Sequence, residues 1–581
     1  MNVIKVFLIL ILTGSLGAFF YFKFKPKVQN YIGPQIENFA LIDQSGRVNE
    51  LYKMTNKKLI AFYSFGLGCP IVRKNLSKVK QLSDKYSSDL NFYFLDSNLQ
   101  DTREKLIREF EEYNLTAPIL IDDTQEVARS LNINRTGEVL LVEPNTWKII
   151  YRGPINDQFN YAADSGKAKN EYLEQTINSY LNNEEIVQNK IDSLGCAITV
   201  FELPKANYYA EVDKIFEKKC WTCHEKIEPK MSFSYDDARA WSKMIKEVIK
   251  TERMPPWEVD DYYTKIKNDF RLSKEEKNII YGWIANNFPM GDETKKAKFL
   301  KGNKGTTAVA NADITLPMAK EFVIVSTEKK RFYYELLMQN GPKDLFITEV
   351  NFNLSNPAPF HGASLIISKN RLPASSTDFD QRGIPIKDEF NFNILKTFDL
   401  KGYSNKFAYR IPQNAYVYLW LHFRLSAKEE QIFVTTYLTK YKGKEKPVEV
   451  KVKVVGKKFN VPANKEFFKF TNTIKIPKDT QFYALMPHLH ARGSYFNLKK
   501  RIPGGTIKTL YASRVLQKSD ILFELDGPIF VEKGSELINE FEYNNSVTNE
   551  ANIDFNKEIP YGPDFYENEM GAVYAIYNEI N

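Results

Sequence analysis

The chain has 581 residues, which is too long for one ordinary hydrophobic core. Of these residues 43% are hydrophobic and 26% are charged, a composition that excludes a disordered chain. We therefore expect three or four domains. Its 80 basic and 72 acidic residues give a net charge of +8, and no basic block carries interleaved aromatic residues, which argues against nucleic acid as a partner. Four cysteines are too few for a disulfide scaffold.

The N-terminal segment, residues 1–27, contains an apolar run from Val6 to Phe22 with Lys5 before it and Lys23 after it. This run is at the short end for a membrane span. A cleaved signal peptide is the alternative, although aromatic residues follow the small residues where cleavage is expected. We predict a membrane anchor or signal segment that places the rest of the chain on the periplasmic side of a bacterial inner membrane, or releases it to the periplasm.

Residues 28–190 alternate strand and helix patterns, as in a βαβ architecture. The apolar stretch Leu59 to Phe65 predicts a buried strand, and Cys69-Pro70 then opens an amphipathic helix. A helix N-terminus favours the thiolate form, so Cys69 is a candidate redox thiol. A structural or docking module that retains one cysteine is the other interpretation.

This segment resembles the redoxin branch of the thioredoxin fold, the alkyl hydroperoxide reductase and thiol-specific antioxidant proteins. The stretches that carry the resemblance are Asn38-Phe39-Ala40-Leu41, Gly68-Cys69-Pro70-Ile71 and Tyr151-Arg152-Gly153-Pro154-Ile155. The resemblance implies an α/β thioredoxin-like domain over residues 28–190. No second cysteine follows three residues after Cys69, and Thr136-Gly137-Glu138 stands where the family commonly has Thr-Pro-Glu with a cis-proline. Cys196 either resolves an oxidised Cys69 or is a buried small hydrophobic residue, and we expect the second.

Residues 191–300 carry helical patterns around Cys220-Trp221-Thr222-Cys223-His224. Cys220 and Cys223, followed at once by an imidazole, indicate covalently bound haem c with His224 as an axial ligand. A thioredoxin-like redox pair and a zinc half-site are the alternatives. Met254 is the expected second axial ligand, because two prolines stiffen the chain directly after it. The remaining candidates for that ligand are Met231, Met244 and Met290. Residues 191–300 resemble a small all-α, single-haem bacterial cytochrome c domain.

After a linker at residues 293–313, short alternating strands predict two all-β sandwiches, residues 301–445 and 446–581. Four of the five histidines lie in this part of the chain. His488 and His490 are two apart on a predicted strand, so both imidazoles point to one face and can reach one metal ion. A thioether farther along would complete a ligand set that suits copper.

These two sandwiches resemble the copper type II, ascorbate-dependent monooxygenases. The stretches that carry the resemblance are Pro487-His488-Leu489-His490-Ala491-Arg492-Gly493, Tyr543-Asn544-Asn545-Ser546 and Glu569-Met570. The resemblance implies that His488, His490 and Met570 hold the oxygen-binding copper. His361 and His422 correspond to the family's electron-storing copper site, which is degenerate here because the family's His-His pair is reduced to one histidine.

Together these patterns predict an exported oxidoreductase in which haem c passes electrons to a copper monooxygenase-like centre. Its partners would be O₂, an external electron donor and a small-molecule or peptide substrate. Two other functions are open: an electron-transfer or copper-binding protein that hydroxylates nothing, and a thiol peroxidase or disulfide-exchange protein that acts through Cys69.

Overall fold

A computed structural model describes most of the chain after the N-terminal segment. The described residues are 35–159, 166–224, 232–256, 259–267, 269–298, 312–324, 332–356, 359–372, 375–376, 392–395, 406–423, 429–502, 504–514, 521–562 and 566–580. The predicted anchor, Met231 and Trp257 lie outside them. In the part of the chain that is described, no helix is long and apolar enough to cross a membrane.

Two compact units make up the chain, and each is described by itself. The first comprises Met1–Phe216, Phe233–Pro255 and Leu272–Ala297. The second comprises Glu217–Ser232, Pro256–Arg271 and Lys298–Asn581.

The first unit contains a seven-stranded sheet in the order β2-β1-β5-β4-β3-β6-β7. Its strands are β1 (Ala40–Asp43), β2 (Val48–Glu50), β3 (Leu59–Phe65), β4 (Leu90–Asp96), β5 (Ile119–Ile121), β6 (Val139–Glu143) and β7 (Lys148–Gly153). Strands β3, β4 and β5 are parallel, and β6 pairs antiparallel with both β3 and β7. The four helices around this sheet are α1 (Pro70–Lys85), α2 (Arg103–Glu112), α3 (Glu126–Leu131) and α4 (Tyr172–Leu181).

Strand β3 lies at the centre of this domain, and all seven of its residues are buried. Successive side chains of a strand point to opposite faces, so Leu59 and Ala61 join the core under α1, α2 and α4, while Ile60 and Phe62 join the core on the face of α3. The predicted α/β thioredoxin-like fold is confirmed.

The α/β domain extends beyond its predicted end at residue 190. Ile191 donates its N–H to the Arg152 carbonyl oxygen at 2.9 Å, and Ile198 donates to the Asn134 carbonyl oxygen at 2.8 Å. Ile198 also belongs to the core on the α3 face. Residues 191–201 therefore complete the α/β domain, because they bind its backbone groups and cover part of its core.

Residues 191–300 contain short helices but do not form the predicted all-α domain, because their segments are divided between the two units. Short helical segments cover Tyr208–Val212, Asp213–Phe216, Glu217–Trp221 and Thr222–His224. Two short helices, α5 (Tyr235–Ala240) and α6 (Ser242–Lys250), meet at Trp241. Helix α7 (Lys274–Ala285) begins with a capping box of Ser273 and Glu276. Its Trp283 is buried at 5.3 Å between ring centroids from Tyr208, so α7 packs against the first helical segment.

The second unit is mainly β-structure, as predicted. An eight-stranded sheet has the order β25-β22-β28-β19-β15-β11-β18-β8, and sheets of five strands (β13-β10-β16-β12-β14) and four strands (β21-β26-β23-β24) accompany it. The strands of the eight-stranded sheet are β8 (Ile314–Pro317), β11 (Leu345–Leu354), β15 (Phe407–Ile411), β18 (Val434–Lys440), β19 (Val448–Gly456), β22 (Thr480–Leu489), β25 (Phe523–Val531) and β28 (Gly571–Glu579). The five-stranded sheet consists of β10 (Phe332–Gln339), β12 (Phe360–Ser368), β13 (Ser375–Ser376), β14 (Phe392–Leu395) and β16 (Tyr416–Phe423). The four-stranded sheet consists of β21 (Lys465–Lys475), β23 (Gly493–Arg501), β24 (Ile507–Arg514) and β26 (Glu536–Asn545). Two further pairs are β9 (Phe322–Ile324) with β17 (Glu430–Ile432), and β20 (Asn460–Val461) with β27 (Ile559–Pro560).

The two predicted sandwiches share one sheet rather than following each other as separate domains. Strand β19 pairs with β15 of the first predicted sandwich and with β28 of the second. Ile347, Val450 and Ile576 consequently lie in one core. The predicted boundary at residue 445 does not separate two domains, because the next strand, β19, is hydrogen-bonded to strands of both predicted sandwiches.

A short segment assigned to the cytochrome domain belongs to the second sandwich. Val259 forms a bridge with Ser513 of β24, and Ile266 forms one with Leu525 of β25. Both apolar side chains are buried in the sandwich core. Burial of these two residues attaches residues 259–267 to the β-structure.

Candidate functional site

Cys69 lies where the central strand passes into helix α1. Strand β3 ends at Phe65, Gly68 has a φ of +71°, and Pro70 occupies the first helical position. Proline suits that position because its missing N–H would have no helical partner. Cys69 is 4% exposed, and its sulfur lies at the positive end of the helix dipole.

Cys196 lies beside Cys69, contrary to our expectation that it is a buried hydrophobic residue. Its side chain is exposed, and its thiol donates to Cys69 Sγ at 2.7 Å. A disulfide bond is about 2.05 Å long, so the two sulfurs need to move less than about 1 Å to bond. Cys196, 127 residues after Cys69, therefore takes the place of the second cysteine that is absent three residues after Cys69.

Thr136 connects the two thiols. Its hydroxyl donates to Cys69 Sγ at 3.1 Å and accepts the Cys196 N–H at 2.9 Å. Its own N–H donates to the Cys196 carbonyl oxygen at 2.9 Å. Where related domains carry a proline next in the chain, Gly137 has a φ of +75°. Thr136 is thus hydrogen-bonded to both cysteines.

The pKa values of the two thiols are shifted in opposite directions. Burial raises the pKa of the Cys69 thiol, but hydrogen bonds from Cys196 and Thr136 outweigh it and leave that pKa below the ordinary value. Burial and the hydrogen bond to Cys69 raise the pKa of the Cys196 thiol. Cys69 is consequently the more acidic thiol of the pair.

The segment that carries Cys196 is held against the α/β domain by hydrogen bonds. Arg135 Nη1 donates to the Gly195 carbonyl oxygen at 3.1 Å, and Gln125 Nε2 donates to the Thr199 carbonyl oxygen at 2.9 Å. A Cβ on Gly195 would lie 1.6 Å from the Thr136 carbonyl oxygen, so only glycine allows this approach. These contacts hold Cys196 beside Cys69.

The predicted haem motif lies on a helical stretch of the second unit. Cys220 is partly exposed, and Cys223 is exposed. Residues three apart on a helix lie on one side of it, which is compatible with two thioether bonds to one porphyrin. Lys219, the residue before the motif, donates to the Asp269 carbonyl oxygen at 2.9 Å.

Met254 lies in the first unit, directly after helix α6, and its side chain is 41% exposed. Its N–H donates to the Val248 carbonyl oxygen at 3.0 Å. Its role as the axial ligand opposite His224 stays a prediction.

His488 and His490 lie at the end of β22. Their ring centroids are 5.2 Å apart, and the ring planes are nearly perpendicular. His490 Nδ1 lies 3.3 Å from the Asn568 carbonyl oxygen, so a proton on Nδ1 would leave the lone pair of the ring on Nε2. Strand β22 pairs with β28 at Leu489 and Gly571, which places Met570 at the same end of the sheet.

Glu569 joins two of the three predicted copper ligands, His490 and Met570, through their backbones. Its carboxylate accepts N–H groups from His490 at 2.5 Å, Arg492 at 3.0 Å and Met570 at 3.1 Å. Burial raises the pKa of Glu569 to about 7, although these three hydrogen bonds oppose the shift. Tyr543 donates its hydroxyl to the Met570 carbonyl oxygen at 3.1 Å. Imidazole and thioether donors form a ligand set that suits copper, and the role of His488, His490 and Met570 as its ligands stays a prediction.

His422 and His361 are neighbours in the five-stranded sheet. Strand β12 pairs with β16 at Phe360 with Phe423 and at Gly362 with His422, so His361 is the extra residue of a bulge. The His422 ring stacks on Phe332 with 4.4 Å between centroids. Among the described residues, no group of three or more His, Cys, Asp or Glu side chains is placed to share a metal ion.

The fold and the paired thiols define a redox domain of the thioredoxin class. The AhpC/TSA family matches residues 32–157, so this part of the chain is an AhpC/TSA redoxin domain. No match was found among the curated proteins.

Solved structures resemble part of the chain. An uncharacterized conserved protein from Geobacillus kaustophilus shares 22% identity over 29% of this chain and 92% of its own, with a TM-score of 0.27. The thioredoxin domain of a thiol-disulfide oxidoreductase from Bacteroides vulgatus shares 19% identity over 21% and 86%, with a TM-score of 0.19. A peroxidoxin from Mycobacterium tuberculosis shares 12% identity over 26% and 97%, with a TM-score of 0.21.

Three functional features were missed or misjudged from the sequence. Cys196 is exposed beside Cys69 rather than buried as expected. The sequence assigns no role to Thr136 or Glu569. The sequence does contain one signal for the first, since Gly195 directly precedes Cys196 and indicates a close backbone approach.

Proposed function

We propose that Cys69 and Cys196 form a reversible dithiol–disulfide couple, and that this couple is the redox centre of the first unit. The observation that carries the proposal is the 2.7 Å approach of the two sulfurs. The lowered pKa of Cys69 and the raised pKa of Cys196 support a division of roles, with nucleophile and resolving thiol on different residues.

The chemistry follows from that division. With a hydroperoxide as oxidant, Cys69 thiolate attacks the terminal peroxide oxygen, the O–O bond breaks, and an alcohol or water leaves after protonation. Cys196 sulfur then attacks the resulting sulfenic acid, forming the disulfide and releasing water. An external dithiol restores both thiols and is itself oxidised to a disulfide.

Turnover of the full-length protein tests this proposal, with dithiothreitol as reductant and either hydrogen peroxide or a small disulfide as oxidant. We expect Cys69→Ser to abolish consumption of the preferred oxidant. Cys196→Ser should allow one reaction at Cys69 and then stop the cycle. Unchanged turnover in Cys69→Ser would refute the proposal.

We further propose that the second unit is a copper monooxygenase-like centre supplied with electrons by haem c. Support comes from the adjacent rings of His488 and His490, and from the carboxylate of Glu569, which binds the backbones of His490 and Met570. His488, His490 and Met570 would hold the copper, and Cys220, Cys223 and His224 would hold the haem. Bound copper would supply the reaction of O₂ with a C–H bond of the substrate.

One arrangement within the second unit favours coupling of the two groups. Lys219, next to the haem motif, binds the Asp269 carbonyl oxygen, and the nearby Lys267 donates its N–H to the Glu524 carbonyl oxygen of β25 at 2.9 Å. Strand β25 in turn pairs with β22, which carries His488. The haem-motif segment is thus connected by short contacts to the strand of the proposed copper ligands.

Metal content and reduction kinetics test the coupling. Full-length protein matured in a host that attaches haem c should contain iron and copper, and His488→Ala should lose copper but keep iron. In stopped-flow experiments, ferrous haem should be reoxidised when copper and O₂ are added. Ferrous haem that stays reduced in the copper-loaded protein would contradict this proposal.

The periplasmic side of a bacterial inner membrane, reached through residues 1–27, is the location that such a haem-containing protein requires. The substrate would be a small molecule or peptide.

A further inference from the structure

A pair of carboxyl groups lies beneath the loop that leads to Cys69. Asp96 ends strand β4 and is 2% exposed. Asp101 follows five residues later and acts on Asp96 both by charge and by a hydrogen bond between the side chains. Neither residue takes part in the thiol chemistry proposed above.

This pair holds the loop through its backbone. Asp101 Oδ2 accepts the Leu67 N–H at 2.9 Å. Asn98 Nδ2 donates both to Asp96 Oδ1 at 3.0 Å and to the Phe65 carbonyl oxygen at 3.1 Å. The two ends of the turn between strand β3 and Cys69 are therefore attached to the carboxyl pair.

The middle of the same turn contacts the group that binds the nucleophile. A Cβ added at Gly66 would lie 2.7 Å from Thr136 Cγ2 and 2.8 Å from Asn98 Nδ2. The Gly66 carbonyl oxygen accepts the Cys69 N–H at 3.3 Å. A shift of the turn would consequently disturb both Cys69 and Thr136.

We propose that Asp96 and Asp101 are positioning residues for Cys69, and that they hold the turn at residues 65–67 in place while they share one proton. This inference rests on the proposed thiol function and adds two residues and a pH limit to it. When both carboxyls are ionised, their repulsion separates them, and Asp101 draws Leu67 and the turn away from Thr136.

The charged surroundings of the pair fix the direction of its pH dependence. Burial and the charge of Asp101 raise the pKa of Asp96 to about 8, and burial also raises the pKa of Asp101. Lys105 on helix α2 opposes the shift at Asp101. Asp122, at the end of β5, binds Ser97 and the N-terminal N–H groups of helix α3 instead. The shared proton is therefore present at neutral pH and is lost as the pH rises through about 8.

The rate of Cys69–Cys196 disulfide formation with hydrogen peroxide, measured on the full-length protein from pH 5 to pH 10, tests the inference. In the wild type the rate should rise as Cys69 ionises and fall above about pH 8. Asp96→Asn can keep donating to Asp101 at every pH, so the alkaline decline should vanish. Asp101→Ala removes the bond to Leu67 and should lower the rate about tenfold at pH 7, the loss expected for one hydrogen bond to a carboxylate.

Asp122→Asn is the matched control, because Asp122 is also a buried carboxyl at a strand end but does not bind the turn. Its pH profile should equal that of the wild type. An alkaline decline that persists in Asp96→Asn would overturn the inference even if Asp101→Ala failed to fold. A wild type that forms no disulfide at any pH would instead refute the proposed thiol function, and the positioning role with it.

Discussion

At the scale of single residues, the acidity of Cys69 depends on a hydroxyl group that does not belong to its own helix. Thr136 Oγ1 lies 3.1 Å from Cys69 Sγ and also accepts the Cys196 N–H. A hydrogen bond to a charged group contributes about 1.5–3 kcal/mol, and about 1.4 kcal/mol corresponds to a factor of ten in ionisation. This single contact can therefore decide how much thiolate is present at neutral pH.

Thr136→Val keeps the shape of the side chain and removes the hydroxyl. We expect the alkylation rate of Cys69 at pH 7 to fall about tenfold, because the pKa of the thiol rises when the hydrogen bond is lost. Iodoacetamide labelling followed by mass spectrometry of the Cys69 peptide measures the rate. Thr136→Ser is the control and should react like the wild type. Equal rates in the valine and wild-type proteins would show that Thr136 has no such role.

Gly195 is the second residue on which the site depends. Gly195→Ala brings a methyl group against the Thr136 carbonyl oxygen and should destabilise the protein by about 3 kcal/mol, at the upper end for overpacking. Denaturant unfolding measures the loss, and Gly341→Ala is the control because a Cβ there meets nothing within 4 Å. Should both variants unfold alike, the close approach at Gly195 would not be a constraint.

Sequence reasoning placed Cys69 correctly because its signals are local: a buried strand, a proline at the first helical position and an amphipathic helix. Cys196 could not be placed in the same way. Its position depends on backbone pairing of residues 195–198 with residues 134–136, a contact between distant parts of the chain that no local periodicity indicates.

At the scale of elements, the proposed copper site lies where strand β22 ends beside the start of its antiparallel neighbour, strand β28. Their pairing places His488 opposite Ala572, which follows Glu569 and Met570 by three and two residues. Alternation along a strand predicted correctly that the two histidine side chains are neighbours. It could not reveal Glu569 as the group that binds the backbones of His490 and Met570, because residues 490 and 569 are far apart in the sequence.

Glu569→Gln tests that organising role. Glutamine has one oxygen acceptor in place of two, so at least one of the three N–H groups loses its partner. We expect copper affinity to fall about tenfold or more, as for other groups that orient metal ligands. Competition titration with a copper chelator measures affinity without reference to activity. Glu542→Gln, another buried carboxyl of the same sandwich, is the control, and equal affinities of the two variants would count against the role of Glu569.

At the scale of the whole molecule, the α/β fold of the N-terminal part and the β-rich C-terminal part were predictable, but the predicted all-α domain between them is not formed and the domain boundaries were not predictable. Composition and periodicity separate the α/β segment from the β-rich segment. The connections of residues 191–201 to the redoxin domain and of residues 259–267 to the second sandwich depend on a few buried side chains, among them Ile198, Val259 and Ile266. The boundary between the two predicted sandwiches was unpredictable for the same reason, since strand β19 has one neighbouring strand from each of them.

Ile266→Ala tests whether residues 259–267 contribute to the stability of the second unit. The side chain is 8% exposed within the sandwich core, so truncation should destabilise by about 2–5 kcal/mol. Thermal unfolding measures the effect, and Val547→Ala, at a residue 74% exposed, is the control with little expected change. An Ile266→Ala variant as stable as this control would mean that the segment is only loosely attached.

The most direct measurement for the thiol centre is a peptide map of the full-length protein under non-reducing conditions, after titration with hydrogen peroxide. The geometry predicts one new link, between the peptides of Cys69 and Cys196, complete at about one oxidant per chain and reversed by dithiothreitol. Cys69 recovered as sulfinic acid, with Cys196 still a free thiol, would contradict a paired redox centre.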